Sequence, residues 1–225
     1  MQFPTLRSAQ ELANLVEEIG FLPFFRNEIE GFSVEECTPS ALWFTDDEGP
    51  WEWKGPVIRM THCAYGKFYR GKAVYIAKRF FPDFANVRRD GYDYDSRMDE
   101  GLARHRDVPI MQELWNVPSL ISKELKMRVC FTEERKKNFD SSLTYLQMGC
   151  YVNIADFEYA RSRDGKPYGW GLARYTTPEA FFGENFRIEA YKKQPKESYM
   201  ALEAYLKRLL PHATEKQLAR FLGGN

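Results

Sequence analysis

An α+β fold is predicted by three features of the chain. A capped, helix-period apolar pattern opens it, further helical segments fill residues 107–150, and a long alternating stretch follows them directly. The middle segments carry the strongest signal. Val108–Asn116 places Ile110, Met111, Leu114 and Trp115 at helical spacing and ends before Pro118. A second short helix is predicted from Ser119 or Ser122, with Leu125 inward and Lys123 and Lys126 outward. The third is read in RKKNFDSSLTYLQMG, where Phe139, Leu143 and Leu146 repeat at i, i+4 and i+7 and Gly149 supplies a left-handed cap.

YVNIADFEYARS then alternates apolar and polar, Asp164-Gly165 suits a type I′ turn, and PYGWGLARYTT returns, which makes one long hairpin. Three helices closed by a hairpin is the order of a winged helix. The expected architecture is therefore winged-helix, tandem winged-helix-like, with a long β-hairpin wing over residues 107–176.

Upstream, Ser8 and Glu11 form a capping box before Leu12, Leu15, Val16 and Ile19, with Gly20 as the stop. Residues 21–53 are aromatic and irregular, 56–59 and 72–76 read as short strands, and 63–71 reads as a turn. RRDGYDYDSRMDEG is Asp-rich and reads as a loop, and no internal repeat is visible. After Thr177, Pro178 opens a short helix and a connector leads to a helix near 198–210 with Tyr199, Leu202, Tyr205, Leu206 and Leu209 as its stripe. Thr214 and Gln217 cap a last helix bearing Leu218, Phe221 and Leu222. Three regions result: 1–106, an α+β region that admits a divergent winged helix; 107–176, the winged-helix module; and 177–225, a helical extension packed on the rest.

Composition narrows the function classes. The chain is 44% hydrophobic, 16% aromatic and 28% charged, and has no apolar run of the ~18 residues that a membrane helix needs. The N-terminal residues lack the basic stretch and apolar core of a secretory signal, so a cytoplasmic location is expected. Cys37, Cys63, Cys130 and Cys150 form no C-x-x-C pair and are expected as buried thiols; His62, His105 and His212 are isolated, so neither metal nor cofactor is expected. Asp90, Asp93 and Asp95 alternate but lack the glycine and terminal glutamate of a calcium loop, and Arg88, Arg89 and Arg97 are read as their salt-bridge partners. Lys plus Arg and Asp plus Glu are equal at 32, so attraction to a polyanion must come from local patches.

One such patch is the start of the third helix, Arg135, Lys136, Lys137 and Asn138, where cations and an amide could meet phosphates or base edges. Cations there oppose the helix dipole by about 0.3–1 kcal/mol each, so helix stability does not account for them. The wing adds Arg161, Arg163, Lys166 and Tyr168, with Tyr159 and Trp170 beside them. Trp51 and Trp53 are base-stacking candidates, and Glu52 and Asp47 are the weak catalytic ones. In an extended segment both rings would share one face, with Glu52 opposite.

NFDSSLTYLQMGCYV with its hairpin, and AYGKFYRGKAVYIAKRFFPDF before it, resemble the AlkZ-type, YcaQ-like winged-helix DNA glycosylases. The resemblance implies tandem winged helices, DNA as partner, and excision of alkylated or crosslinked bases. That family carries its chemistry on Q-x-Q or Q-x-D soon after the first helix. Here Gln2, Gln10, Gln112, Gln147, Gln194 and Gln217 are all followed by other residues two places on, and the corresponding segment 20–25 offers Leu22, Pro23 and Phe25. The expectation is a DNA-binding protein related to alkyl-base glycosylases, with a role in repair and without that motif. An active glycosylase with relocated residues and a protein-interaction module are the alternatives, and a protein partner stays open.

Overall fold

In a computed structural model, which describes residues 3–44, 48–161, 163 and 167–223 (side chains at 160, 161 and 167–170 excepted), two small antiparallel sheets are set among helices. Helix α1 (Ala9–Ile19) starts where Ser8 Oγ accepts the Glu11 N–H and stops at Gly20, whose φ is 76°. A Cβ at Gly20 would lie 2.3 Å from the Phe80 ring, so both backbone and space demand glycine. Strand β1 (Phe21–Pro23), helix α2 (Val34–Cys37) and helix α3 (Pro50–Thr61) follow, and strands β2 (Ala64–Tyr69) and β3 (Lys72–Ile76) close a hairpin through Arg70 and Gly71, both at positive φ. The sheet order is β1-β3-β2.

Helices α4 (Phe81–Arg89) and α5 (Tyr94–Asp99) lead to a second unit: α6 (Val108–Asn116), β4 (Ser119–Ile121), α7 (Ser122–Val129), α8 (Glu133–Met148), β5 (Asn153–Arg161) and β6 (Pro167–Thr176). Its sheet order is β4-β6-β5. The two units thus share one order, helix, strand, two helices, hairpin, with the first strand paired to the last. A repeat of topology needs only matching burial patterns, so it leaves no mark as repeated residue identities.

The units pack reciprocally, the third helix of each against the hairpin of the other. Gln147, buried on α8, accepts the Lys67 N–H of β2 at 3.0 Å. On the other side Arg59 of α3 pairs with Asp156 of β5, and a Cβ at Gly55 would come within 2.9 Å of the Asp156 carboxylate. Tyr65 and Phe157 bridge the hairpins with ring centroids 5.8 Å apart. Helices α9 (Pro178–Phe182), α10 (Asn185–Tyr191), α11 (Pro195–Leu209) and α12 (Glu215–Gly223) complete the chain, with α10, α11 and α12 against α4. Buried Asn86 donates to the Lys193 carbonyl and to Ser198 Oγ, which donates to Asp83. One continuous apolar cluster joins all three regions.

Several sequence expectations are corrected. Residues 56–59 are helical: Trp53, Val57 and Ile58 bury one face of α3 at helical spacing, which Pro56 and two β-branched neighbours disguise. Most of 63–71 is strand β2, and only Arg70 and Gly71 turn. The segment 88–101 contains the end of α4 and all of α5, which Asp93 caps by accepting the Ser96 N–H. The left-handed residue after α8 is Cys150, at φ 59°, while Gly149 stands at −79° and gives room to the Tyr151 ring. Helix α8 begins two residues earlier than read, on Thr132. The Asp164-Gly165 turn lies outside the described residues. All four cysteines are buried free thiols.

Arg88 and Arg89, read as partners of the Asp-rich segment, instead point inward. Arg88 donates to the carbonyls of Met148 and Phe221, and Asp93 pairs with Arg187. Arg89 is fully buried, bonded to Glu179 at 2.6 Å, to Tyr191 and to the Cys150 carbonyl. Burial works against its charge, but Glu179 and Tyr191 outweigh that and hold its pKa above the ordinary value. Removing one side of such a pair strands the rest, so Arg89→Leu is expected to cost about 3–5 kcal/mol, read from the urea midpoint at constant m. A loss under about 1 kcal/mol would contradict this account of the α4–α9 junction.

Candidate nucleic-acid interface

Helix α8 has two halves with different surroundings. From Phe139 on, Phe139, Ser142, Leu143, Leu146 and Gln147 are buried, whereas residues 131–137 are exposed. Thr132 Oγ1 accepts the Arg135 N–H, and Glu133 and Glu134 occupy the first turn. Acids there complement the dipole, which weakens the argument that this helix start is electrostatically unfavourable.

The four predicted residues part company. Lys136 pairs with Glu133 at 2.6 Å, and Lys137 stands exposed with no anionic partner among the described residues. Arg135 and Asn138, one helical turn apart, line a cleft of about 390 Å³ between α6, α7 and α8, together with His105 and Arg106 from the segment before α6. Those two were not singled out from the sequence. Only the fold brings them beside α8, because their own neighbours show no motif.

At the wing, Arg163 is exposed. Lys166 lies outside the described residues, as do the side chains of Arg161, Tyr168 and Trp170. Tyr159 faces inward: its hydroxyl donates to the Trp51 carbonyl at 3.0 Å and its ring covers Gly171, where a Cβ would lie 2.7 Å away. The base of the β5–β6 hairpin is thus pinned to α3. Arg174 fastens the hairpin further, bonding Glu158 across the strands and Ser119 on β4.

Trp51 and Trp53 do not share a face, because in a helix residues two apart diverge by about 200°. Trp53 is 2% exposed, in the core, while Trp51 joins Phe24, Phe25 and Trp43 with centroids 5.5–5.8 Å away. Glu52 accepts the Gly49 N–H at 3.0 Å and so holds the start of α3. Asp47 lies outside the described residues. Of Asp90, Asp93 and Asp95, Asp93 is committed to the α5 cap and to an ion pair with Arg187.

Beside this cluster the Lys54 ammonium sits 4.3 Å from the Phe157 ring centre and 5.2 Å from that of Trp51. Burial pulls its pKa down to about 8, offset in part by Glu52. Since the unfolded value is about 10.4, the unfolded chain binds more protons between the two, and this group's contribution makes stability rise with pH across that window. A 13Cε titration should find a lysine with a midpoint near 8 that disappears in Lys54→Met. A uniform lysine envelope near 10 would refute the burial.

Comparisons with known proteins give the family. No curated protein matches the chain. The solved structure of Streptomyces sahachiroi DNA glycosylase AlkZ aligns with 13% sequence identity and a TM-score of 0.48, over 96% of this chain and 59% of that one. The chain therefore spans about three-fifths of that enzyme's length. The family model described as AlkZ related matches residues 6–223, nearly the whole sequence, and the chain belongs to the AlkZ-related family.

Proposed function

We propose that this chain is a DNA-binding member of its family, assembled from a divergent winged helix within residues 1–106, a second winged helix at 107–176 and a helical extension at 177–225. Duplex DNA is taken on the exposed start of α8 and on the wing. The observation that carries this reading is the division of α8. Its C-terminal half is anchored on β2, while Lys136 and Lys137 project from a free N-terminal half, the part that winged helices lay in a major groove.

Charge supports it. Between residues 104 and 140 stand eight Lys or Arg against six Asp or Glu, in a chain that is neutral as a whole. In this reading Lys136 and Lys137 meet phosphates, and Arg163 meets the backbone from the wing. The chain binds DNA without excising bases: Phe21, Leu22 and Pro23 of β1 are all buried where the relatives' glutamine motif would stand, and Glu52 is committed to a helix start. Family membership supports a place in DNA repair. Beside α8, Met127 and Phe131 are largely exposed, which favours a protein contact as the second reading.

Lys136→Glu/Lys137→Glu should weaken binding to a duplex at least about tenfold and flatten the slope of log K against log salt by about 0.9 for each phosphate no longer neutralised. Fluorescence anisotropy at two salt concentrations reads both, and unchanged affinity would overturn the DNA reading. Alkali treatment of duplexes carrying alkylated bases should show no strand breaks above background after incubation with the protein. Breaks would restore the glycosylase alternative. A partner that protects Phe131, with no DNA affinity even at low salt, would put protein interaction first.

A further inference from the structure

The cleft between α6, α7 and α8 is built differently from the surface around it. Its volume of about 390 Å³ falls within the ~300–1,000 Å³ of small-molecule sites. Ile110 of α6, Val129 of α7 and Phe139 of α8, each buried, give it apolar walls. Ser142 also lines it. This serine is 1% exposed, and its hydroxyl has no hydrogen-bond partner among the described residues, an arrangement that a folded chain avoids unless something else supplies the partner.

Two of the polar side chains around these walls are uncommitted among the described residues. The Asn138 amide makes no hydrogen bond among the described residues and offers both a donor and an acceptor. Arg135 is free of ion pairs among the described residues, and Arg106 has only a 4.0 Å approach to Asp107. Both line the cleft near the N-terminus of α8, whose dipole favours an anion. Glu134 also lines it, which limits how much negative charge the site would accept.

Apolar walls, an amide and a hydroxyl inside, and two cations at a helix start match one unpaired nucleotide. We propose that the cleft holds such a nucleotide extruded from bound DNA. Its base lies against Ile110, Val129 and Phe139 with an edge bonded by Asn138 and Ser142, and its phosphate lies between Arg106 and Arg135. A single phosphate suits two arginines set against one glutamate better than a polyphosphate does. Base stacking on apolar walls and edge bonding are what an extruded base requires. The source of the nucleotide rests on the DNA reading above, whereas the cleft chemistry stands apart from it.

The test uses the full chain and two duplexes, one fully paired and one with a central 2-aminopurine opposite an abasic gap. The expected result is a preference of about tenfold for the gapped duplex, with a change in 2-aminopurine fluorescence on binding. Ser142→Leu, which fills the floor, should abolish the preference and leave affinity for the paired duplex unchanged. Ser142→Ala keeps the volume and should reduce the preference several-fold, so the test stands even if the leucine variant does not fold.

Equal affinity of the wild type for both duplexes, or a preference that survives both substitutions, overturns the proposal while leaving DNA binding intact. A third arm separates the two readings: ligand-observed NMR with deoxyadenosine monophosphate. Binding of the mononucleotide that is lost in Ser142→Ala, without affinity for either duplex, supports the cleft and removes the DNA reading. No response to the mononucleotide or to either duplex overturns both.

Discussion

The reciprocal seat of α3 on β5 and of α8 on β2 is the constraint on which the rest of this structure depends. Each unit alone has a sheet of three strands, and β1 and β4 are only three residues long. Such a sheet cannot cover its own helices. Exchanging helix for hairpin across the junction buries Tyr65, Phe68, Leu143 and Leu146 in one cluster, and it replaces water on polar atoms with fixed partners such as Gln147 and the Lys67 amide. Gly55 marks the cost in sequence freedom, since the close approach of α3 to Asp156 leaves no room for a Cβ.

The same seat decides which surfaces remain for a ligand. It fixes α8 from Phe139 onward and β5 from Asn153 to Tyr159, and leaves the start of α8 exposed. In the first unit the corresponding helix start is occupied. Trp53 is in the core, Trp51 is stacked among other aromatics, and Tyr159 of the wing bonds back to the Trp51 carbonyl. Two helices in equivalent positions thus differ in surroundings: α3 supports the β5–β6 hairpin of the second unit, and α8 keeps an exposed start.

How much of this was legible in the sequence follows from what each signal measures. Helices with one apolar stripe, such as α1, α6 and α12, were legible because their burial is one-sided. The long hairpin was legible from alternation. Strands β1 and β4 were not, since three residues hold no period, and without them the repeated topology is invisible. Helix α3 was concealed by Pro56 and by tryptophans that alternate as in a strand. The site divides in the same way: Lys136 and Lys137 announce themselves by charge, whereas Arg106 and Ser142 become relevant only once three helices meet.

Electrostatics then sets the character of any DNA contact. At physiological salt, charges beyond ~8 Å are screened, so the balanced total of 32 and 32 neither helps nor hinders, and the local face governs. On that face Glu133 and Glu134 stand within one turn of Arg135, Lys136 and Lys137, and Lys136 is already paired. General attraction to phosphate is therefore modest. A surface of this kind gains little from uniform duplex and more from any feature that uses the cleft beside it, where desolvated walls and uncommitted polar groups offer energy that screening does not reduce. On the proposed reading, weak long-range attraction combined with a specific recess would favour irregular DNA over tight coverage of regular DNA.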